Sequence, residues 1–406
     1  MQNASAIGPV RKKFLIDGRI SIFLRTQSKR RVRLNAVTRV CPTREASVQK
    51  QDRGSTVRIV MVVGFVIAAV LAGARGSAFA QEIKISHQWA EGTDGRDRAT
   101  RVFVQEVEAR AKGLKFRIYP NSSLNVKPTE LLAALQTNTV AMAVYPLTYG
   151  VTKVPEFSLA GLPGLVPDLD AAHALKGSEI HTMLQSLAEA NGIRIVTWWW
   201  APGGLFAKNR QISDPASVRG LRMRAADPLF ELMLKGAGAS VTNMPSTDIY
   251  AAMQSNTLDA IGTTYEAFMS LRLSEQAKFA TVGTSLFMGF CPLVMSLKTW
   301  SALSPDQKTA VEEAAAISDA YFETIERDLE RRVVKTLRNA GVTIHRMTQE
   351  DFVSWLQLAQ QTAWLEYTKI NPRAQQLLVT TVRTFLVKLA DKDRLVDSIF
   401  ADDPKN

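Results

Sequence analysis

Gly220-Leu221-Arg222-Met223-Arg224, with the helix and the strand that follow it, is the segment from which the fold can be worked out. It has the pattern of a short strand that closes on arginine, and alternation puts Arg222 and Arg224 on one face of it. The body of the chain opens in the same way. Glu82–Ser86 alternates through Ile83 and Ile85. Residues 94–112 carry Val102, Val104 and Val107 among Arg and Glu, which predicts a helix. Lys115–Tyr119 alternates again through Phe116 and Ile118. Strand, helix and strand in this order predict an α/β protein with parallel strands.

An internal echo extends the pattern. Thr129-Glu-Leu-Leu-Ala-Ala-Leu-Gln-Thr-Asn-Thr-Val-Ala-Met-Ala-Val144 aligns with Thr247-Asp-Ile-Tyr-Ala-Ala-Met-Gln-Ser-Asn-Thr-Leu-Asp-Ala-Ile-Gly262, with six of sixteen positions identical. Each copy opens with Thr and an acid, a good helix start. Each then turns at Asn-Thr into a short apolar strand. Helix–turn–strand units also recur by chance in α/β proteins, but the fuller reading is two lobes built alike, each aiming a strand end at a shared cleft. Ligands in open α/β sheets bind beyond the carboxyl ends of strands. On this reading Tyr145 and Thr263 are equivalent, cleft-facing residues.

Ser304-Pro305-Asp306-Gln307 combines an N-cap, Pro at the first helical position and Gln at the capping-box position. Apolar residues keep helical spacing from Val311 to Leu337, and Gly341 supplies a left-handed stop. A helix over 305–340 would be about 54 Å long at 1.5 Å per residue, long enough to underpin both lobes. Residues 351–400 also have a helical pattern.

The net charge of +12 is unevenly spread. The first 58 residues hold 14 Lys/Arg against three acids, and Arg75 adds one more base. Removing these from the chain totals of 50 and 38 leaves 35 of each sign in 81–406. The basic balance, which would otherwise point to nucleic acid or anionic membrane, therefore belongs to the leader. Ile59–Gly73 is apolar, Arg58 precedes it, and Ala78-Phe79-Ala80 follows. This is the charged start, short apolar middle and small-x-small end of a secretory signal peptide. The expected organisation is a basic preface over 1–56, either an upstream translation artefact or a disordered arm. A signal peptide over 57–80, cleaved after Ala80, follows it. Lobe I is expected from 81–203 plus 290–330, and lobe II from 204–289 plus 331–406 with the C-terminal helices. Export places the mature chain in the periplasm. Cys291 is alone in the mature chain and cannot form an internal disulfide. The four histidines show no metal-site spacing, so neither metal nor cofactor is expected.

Phe116-Arg-Ile-Tyr-Pro-Asn121, Glu130-Leu-Leu-Ala-Ala-Leu-Gln136, Val154-Pro-Glu-Phe157 and Gly161-Leu-Pro163 form part of a wider pattern. It continues through Asp214-Pro, Gly220-Leu-Arg-Met-Arg224, Gly238-Ala239, Met244-Pro245, Tyr250-Ala-Ala-Met-Gln254, Leu258-Asp259, Lys298-Thr-Trp300 and Leu303-Ser-Pro305. In this order and spacing the chain resembles the extracytoplasmic solute-binding proteins of TRAP transporters, the C4-dicarboxylate-binding (DctP-type) family. The resemblance implies a two-lobe fold that closes on an organic acid and hands it to a membrane permease. It implies that Arg224 pairs with the ligand carboxylate and that Arg222 is the solvent-side basic residue. A guanidinium suits the first role because it offers parallel donors and stays charged.

One departure from the family concerns the preceding strand, where many relatives carry a further arginine. Here it is Trp198-Trp199-Trp200-Ala201-Pro202-Gly203-Gly204-Leu205-Phe206. Alternation sends Trp198 and Trp200 one way and Trp199 the other. Trp198, Trp200 and Gly204 are thus candidate contacts in an aromatic pocket, which favours a monocarboxylate with an apolar body. Gln88, just after the first strand, is a further candidate; neighbouring His87 is expected to be an ordinary loop residue. Enzyme motifs such as G-x-S-x-G, a P-loop or H-E-x-x-H are absent, and Asp168 and Asp170 have the setting of turn residues. The remaining rivals are the binding protein of an ABC or tripartite tricarboxylate system and a periplasmic sensor. The expected partners are an organic-acid ligand and the permease, with no nucleic acid, membrane contact only through the permease, and a monomeric state.

Overall fold

A computed structural model describes residues 82–389. The basic preface, the signal peptide and the cleavage site lie outside the described residues.

Two sheets organise the molecule. The first contains β1 (Glu82–Ser86), β2 (Lys115–Tyr119), β3 (Met142–Val144), β4 (Ile193–Ile195) and β11 (Leu293–Ser296), in the order β2-β1-β3-β11-β4. The second contains β5 (Trp200–Ala207), β6 (Arg222–Ala225), β7 (Ser240–Asn243), β8 (Ala260–Thr264), β9 (Phe279–Gly283), β10 (Phe287–Phe290) and β12 (Thr343–Met347). Its order is β12-β9-β5-β8-β6-β7, with β10 added to β5. The two share a unit. In the first, β1 runs parallel to β2 and β3, and β11 is antiparallel to β3. In the second, β6 runs parallel to β7 and β8, and β5 is antiparallel to β8.

The echo lies inside this repeat. Each copy begins as a 3-10 turn, Pro128–Glu130 or Ser246–Asp248. It continues as a helix, Leu131–Thr137 or Ile249–Gln254, and leads into β3 or β8. Asn138 and Asn256 both adopt the left-handed conformation after the helix, at φ 66° and 59°. Asn tolerates that region better than most residues, which explains its place in both copies.

The chain crosses from the first sheet to the second between β4 and β5 and returns between β10 and β11. The outward crossing therefore precedes the expected boundary at 203/204, because Trp200–Gly203 already pair with β10. The helix Pro305–Asn339 spans both lobes. Its Ser304–Gln307 capping box is formed, with both hydrogen bonds made. Ala310 to Phe322 pack in the core beside the first sheet, and Leu329, Val333 and Leu337 in the core beside the second.

The C-terminal helices do not stay on the second lobe as expected. Trp355 Nε1 donates to Ser213 O (2.8 Å) on that lobe, but Trp364 Nε1 donates to Pro163 O (3.0 Å) and Tyr367 Oη to Glu156 O (2.9 Å) on the first. Helix Pro372–Leu389 packs on the first-lobe helices Leu169–Leu175 and Glu179–Ala190. These helices thus tie the lobes together along a second line, besides the long helix.

Candidate functional site

A small cavity, about 40 Å³, lies between the lobes where the strand ends converge. Arg224 forms its second-lobe wall. The side chain is 1% exposed; Nε donates to Met244 O (2.9 Å) and Nη1 to Gly262 O (2.8 Å). Both acceptors are neutral carbonyls. Tyr149 faces the guanidinium, while Asp227 and Asp248 act on it at longer range; burial still outweighs them and lowers its pKa. A guanidinium stays ionised even so. Burying a cation without a paired anion is costly, and here the space beside it is open.

The first lobe contributes a second guanidinium that sequence reasoning missed. Arg96 is 2% exposed and lines the same cavity. It is already neutralised: Nε and Nη2 donate to the two carboxylate oxygens of Asp94 at 2.8 and 2.7 Å, and its guanidinium lies 4.1 Å from the Trp89 ring centroid. Burial alone would lower its pKa, but the charge and hydrogen bonds of Asp94 raise it. An arginine in a helical first turn opposes the helix dipole. That conflict, next to Asp94 and Asp97, was the available signal for a buried pair.

Asp227 is 1% exposed and also lines the cavity. Oδ1 accepts from the N–H groups of Leu229 (2.9 Å) and Phe230 (3.1 Å), capping helix Pro228–Gly236. Oδ2 has no hydrogen-bond partner. Burial pushes the carboxyl up to about 6. Gly161 permits the approach from the other lobe, since a Cβ there would lie 2.7 Å from Oδ2.

Gln88 lies on the cavity wall and crosses the cleft. Its Nε2 donates to Ser246 Oγ (2.6 Å), at the start of the second echo helix. The Ser246 N–H donates to Tyr149 Oη (3.0 Å). Side chains of the two lobes are thus bonded directly to one another. Thr263, at the end of β8, lines the cavity as well.

Three groups of candidates are placed elsewhere. Tyr145 is fully buried in the first-lobe core and is not on the cavity wall. Its backbone N–H still bonds to Pro292 O (2.9 Å), which holds it at the strand end with its ring in the core. The 3-10 turn Leu147–Gly150 then carries Tyr149 to the cleft instead. Trp198 and Trp200 do share a face, opposite Trp199, but they line a separate depression with Lys176 and Asp319. Trp200 stacks behind Phe290 (4.5 Å between centroids), and it is Phe290 that reaches the cavity. Gly204 faces Thr281: a Cβ there would collide with that carbonyl oxygen, so glycine is required for β9 to close on β5. The aromatic-pocket argument for a monocarboxylate therefore has no support from these tryptophans.

The remaining expectations concern surroundings. His87 does sit in the loop after β1, but it is fully buried there and its Nε2 lies 3.1 Å from Asp97 Oδ1. Arg222 is half exposed and pairs with Asp259 at 2.6 Å. Asp168 caps a helix, accepting from Ala171 N (2.7 Å). Among the described residues no group of three His, Cys, Asp or Glu side chains is placed to hold a metal ion, and no helix is long and apolar enough to cross a membrane.

Comparison with known proteins agrees with this architecture. Residues 85–369 match the family model for bacterial extracellular solute-binding protein, family 7 (DctP). A solute-binding protein of Albidiferax ferrireducens is 33% identical over 317 residues, covering 76% of this chain and 93% of that protein. The C4-dicarboxylate-binding periplasmic protein DctP of Rhodobacter capsulatus is 28% identical over 277 residues, covering 67% and 82%. The crystal structure of a TRAP periplasmic solute-binding protein from Rhodoferax ferrireducens with bound malonate superposes with a TM-score of 0.74 at 32% identity, covering 76% of this chain and 99% of that one. A buried arginine at the cleft, two repeated lobes and these matches along the body of the chain converge: the chain belongs to the DctP family of TRAP solute-binding proteins.

Proposed function

We propose that this chain is the periplasmic solute-binding subunit of a TRAP transporter, that it captures a small organic-acid anion by cleft closure, and that Arg224 holds the carboxylate. The observation that carries the reading is a buried guanidinium whose hydrogen-bond acceptors are carbonyls, beside a cavity. A carboxylate placed there supplies the missing negative charge through parallel N–H bonds. Family membership weighs against the ABC and tricarboxylate alternatives, and the malonate-bound relative fits a compact acid.

Capture follows from differential contact. An anion held only by the second lobe gains little, whereas closure adds first-lobe groups and expels water. The ligand then stabilises the closed state by as much as its affinity for the two states differs. Gln88–Ser246 and Tyr149–Ser246 are bonds that closure makes and opening breaks. The closed subunit delivers its cargo to the permease as a monomer. The leader over 57–80 directs export and is removed after Ala80.

A thermal-shift screen of the mature chain against small organic acids, followed by calorimetry, tests the reading. Saturable binding of at least one acid, weakened in Arg224→Ala, is expected. If no acid binds, or if Arg224→Ala binds as well as wild type, the proposed role of this cleft is wrong.

A further inference from the structure

Asp94 and Asp227 occupy equivalent places in the two lobes. Each lies between the first strand of the shared unit and the helix that follows, and each caps that helix. The Asp94 carboxylate is completely used, by the Arg96 backbone N–H (3.0 Å) and by its guanidinium. Asp227 uses only Oδ1; Oδ2 is buried and unpartnered at the cavity wall, facing Gly161 of the other lobe. A buried acceptor left empty is expensive. In a cleft that closes over a solute, the solute is the natural donor.

Resting on the reading of Arg224 as the carboxylate anchor, we infer that Asp227 is a specificity-determining residue: Oδ2 accepts a hydrogen bond from a neutral donor, a hydroxyl or an amide N–H, that the solute carries close to its carboxylate. The cavity is small, so the two groups must lie near each other on one compact molecule. The donor is neutral because Arg224, a guanidinium with no carboxylate partner, lines the site and would repel an ammonium group. A plain aliphatic acid leaves Oδ2 unpaired and sets its carboxylate against the Asp227 carboxyl. Sites built to receive a polar hydrogen reject analogues that lack it far more strongly than apolar pockets reject a missing methylene.

The test uses matched acids that differ by one hydroxyl, malonate against tartronate and propionate against lactate. Each is titrated by calorimetry at pH 7.5 into the mature chain and into Asp227→Asn and Asp227→Ser. Both replacements can still cap the helix, so the variants keep the local fold, and their melting curves verify it. The hydroxylated member of a pair is expected to bind wild type about 10–100-fold more tightly than its partner, the range for a hydrogen bond to a charged group. In both variants that advantage falls to within about threefold, because no carboxylate oxygen remains to receive the donor. Equal affinities for the two members in wild type, or an advantage that survives in the variants, overturns the assignment while leaving Arg224 as anchor. Binding of no acid at all by wild type overturns the carboxylate reading and this inference with it.

Discussion

Asp94 with Arg96, and Asp227 with Arg224, are an aspartate and an arginine placed at the head of one repeated topology, yet the two lobes use them in opposite ways. In the first lobe the pair closes on itself through two charge-assisted hydrogen bonds and is stacked on Trp89. In the second, the aspartate spends one oxygen on its helix and the arginine spends its bonds on backbone carbonyls. The first arrangement is electrostatically complete and rigid. The second leaves an open acceptor and a guanidinium with no carboxylate partner beside the same cavity. Two guanidiniums at a cleft are therefore not two anion sites; only the one without a carboxylate of its own has charge to offer a solute.

The largest effect expected from this contrast is on folding. Arg96→Ala leaves Asp94 charged and buried, and losing one partner of such a pair costs about 3–5 kcal/mol. Urea or thermal unfolding should show it. A variant of wild-type stability that binds ligand weakly would reverse the roles assigned to the two lobes. Arg224→Ala should behave the other way, keeping its fold and losing affinity by about 30- to 5,000-fold, following the 2–5 kcal/mol typical of a truncated buried charge pair. Calorimetry with the acid found by screening decides this.

A smaller effect concerns pH. Burial raises Asp227 to about 6, and burial with the nearby Asp94 charge raises Glu266 to about 7. A carboxyl with a raised folded-state pKa binds more protons folded than unfolded. Its stability contribution is therefore greatest below the unfolded value near 4 and falls as pH climbs toward 6 or 7. Ligand-free Asp227→Asn removes one such cost: it should be more stable than wild type by on the order of 2–3 kcal/mol above pH 7, and equal to it near pH 4. A difference that does not vary with pH would mean Asp227 is not the titrating group. Arg224 and Glu231 are the charged neighbours that modulate it. Gln88→Ala should matter least, weakening ligand binding about two- to tenfold through one lost interlobe hydrogen bond. Small-angle scattering should then report a larger open fraction of the ligand-free chain; an unchanged profile would show that the Ser246 contact does not hold the lobes together.

Much of this was legible beforehand, for reasons that differ by residue. The echo, the long capped helix and Arg224 rest on local chemistry: Asn at a left-handed turn, Ser-Pro-x-Gln at a helix start, arginine at a strand end. These survive in any context that lets the element form. Tyr145 shows where local reasoning stops. It aligns with Thr263 in the chain, but the turn after Pro146 keeps its ring in the core and sends Tyr149 to the cleft. The tryptophans follow the alternation expected of a strand, yet which side faces the solute depends on where β10 pairs, and Phe290 takes that place. Asp94 and Asp227 escaped alignment because eight residues separate β1 from its helix and two separate β6 from its own.

By itself the sequence determined the neutral α/β body, the repeated unit and the place of Arg224 at a strand end. Each of these follows from composition or from interactions within a few residues along the chain. Tertiary structure alone decided which arginine would be neutralised, which tyrosine would face the cavity and which carboxylate oxygen would be left open. Those outcomes depend on what a second lobe, distant in sequence, brings within hydrogen-bonding distance, and on how much water that approach removes.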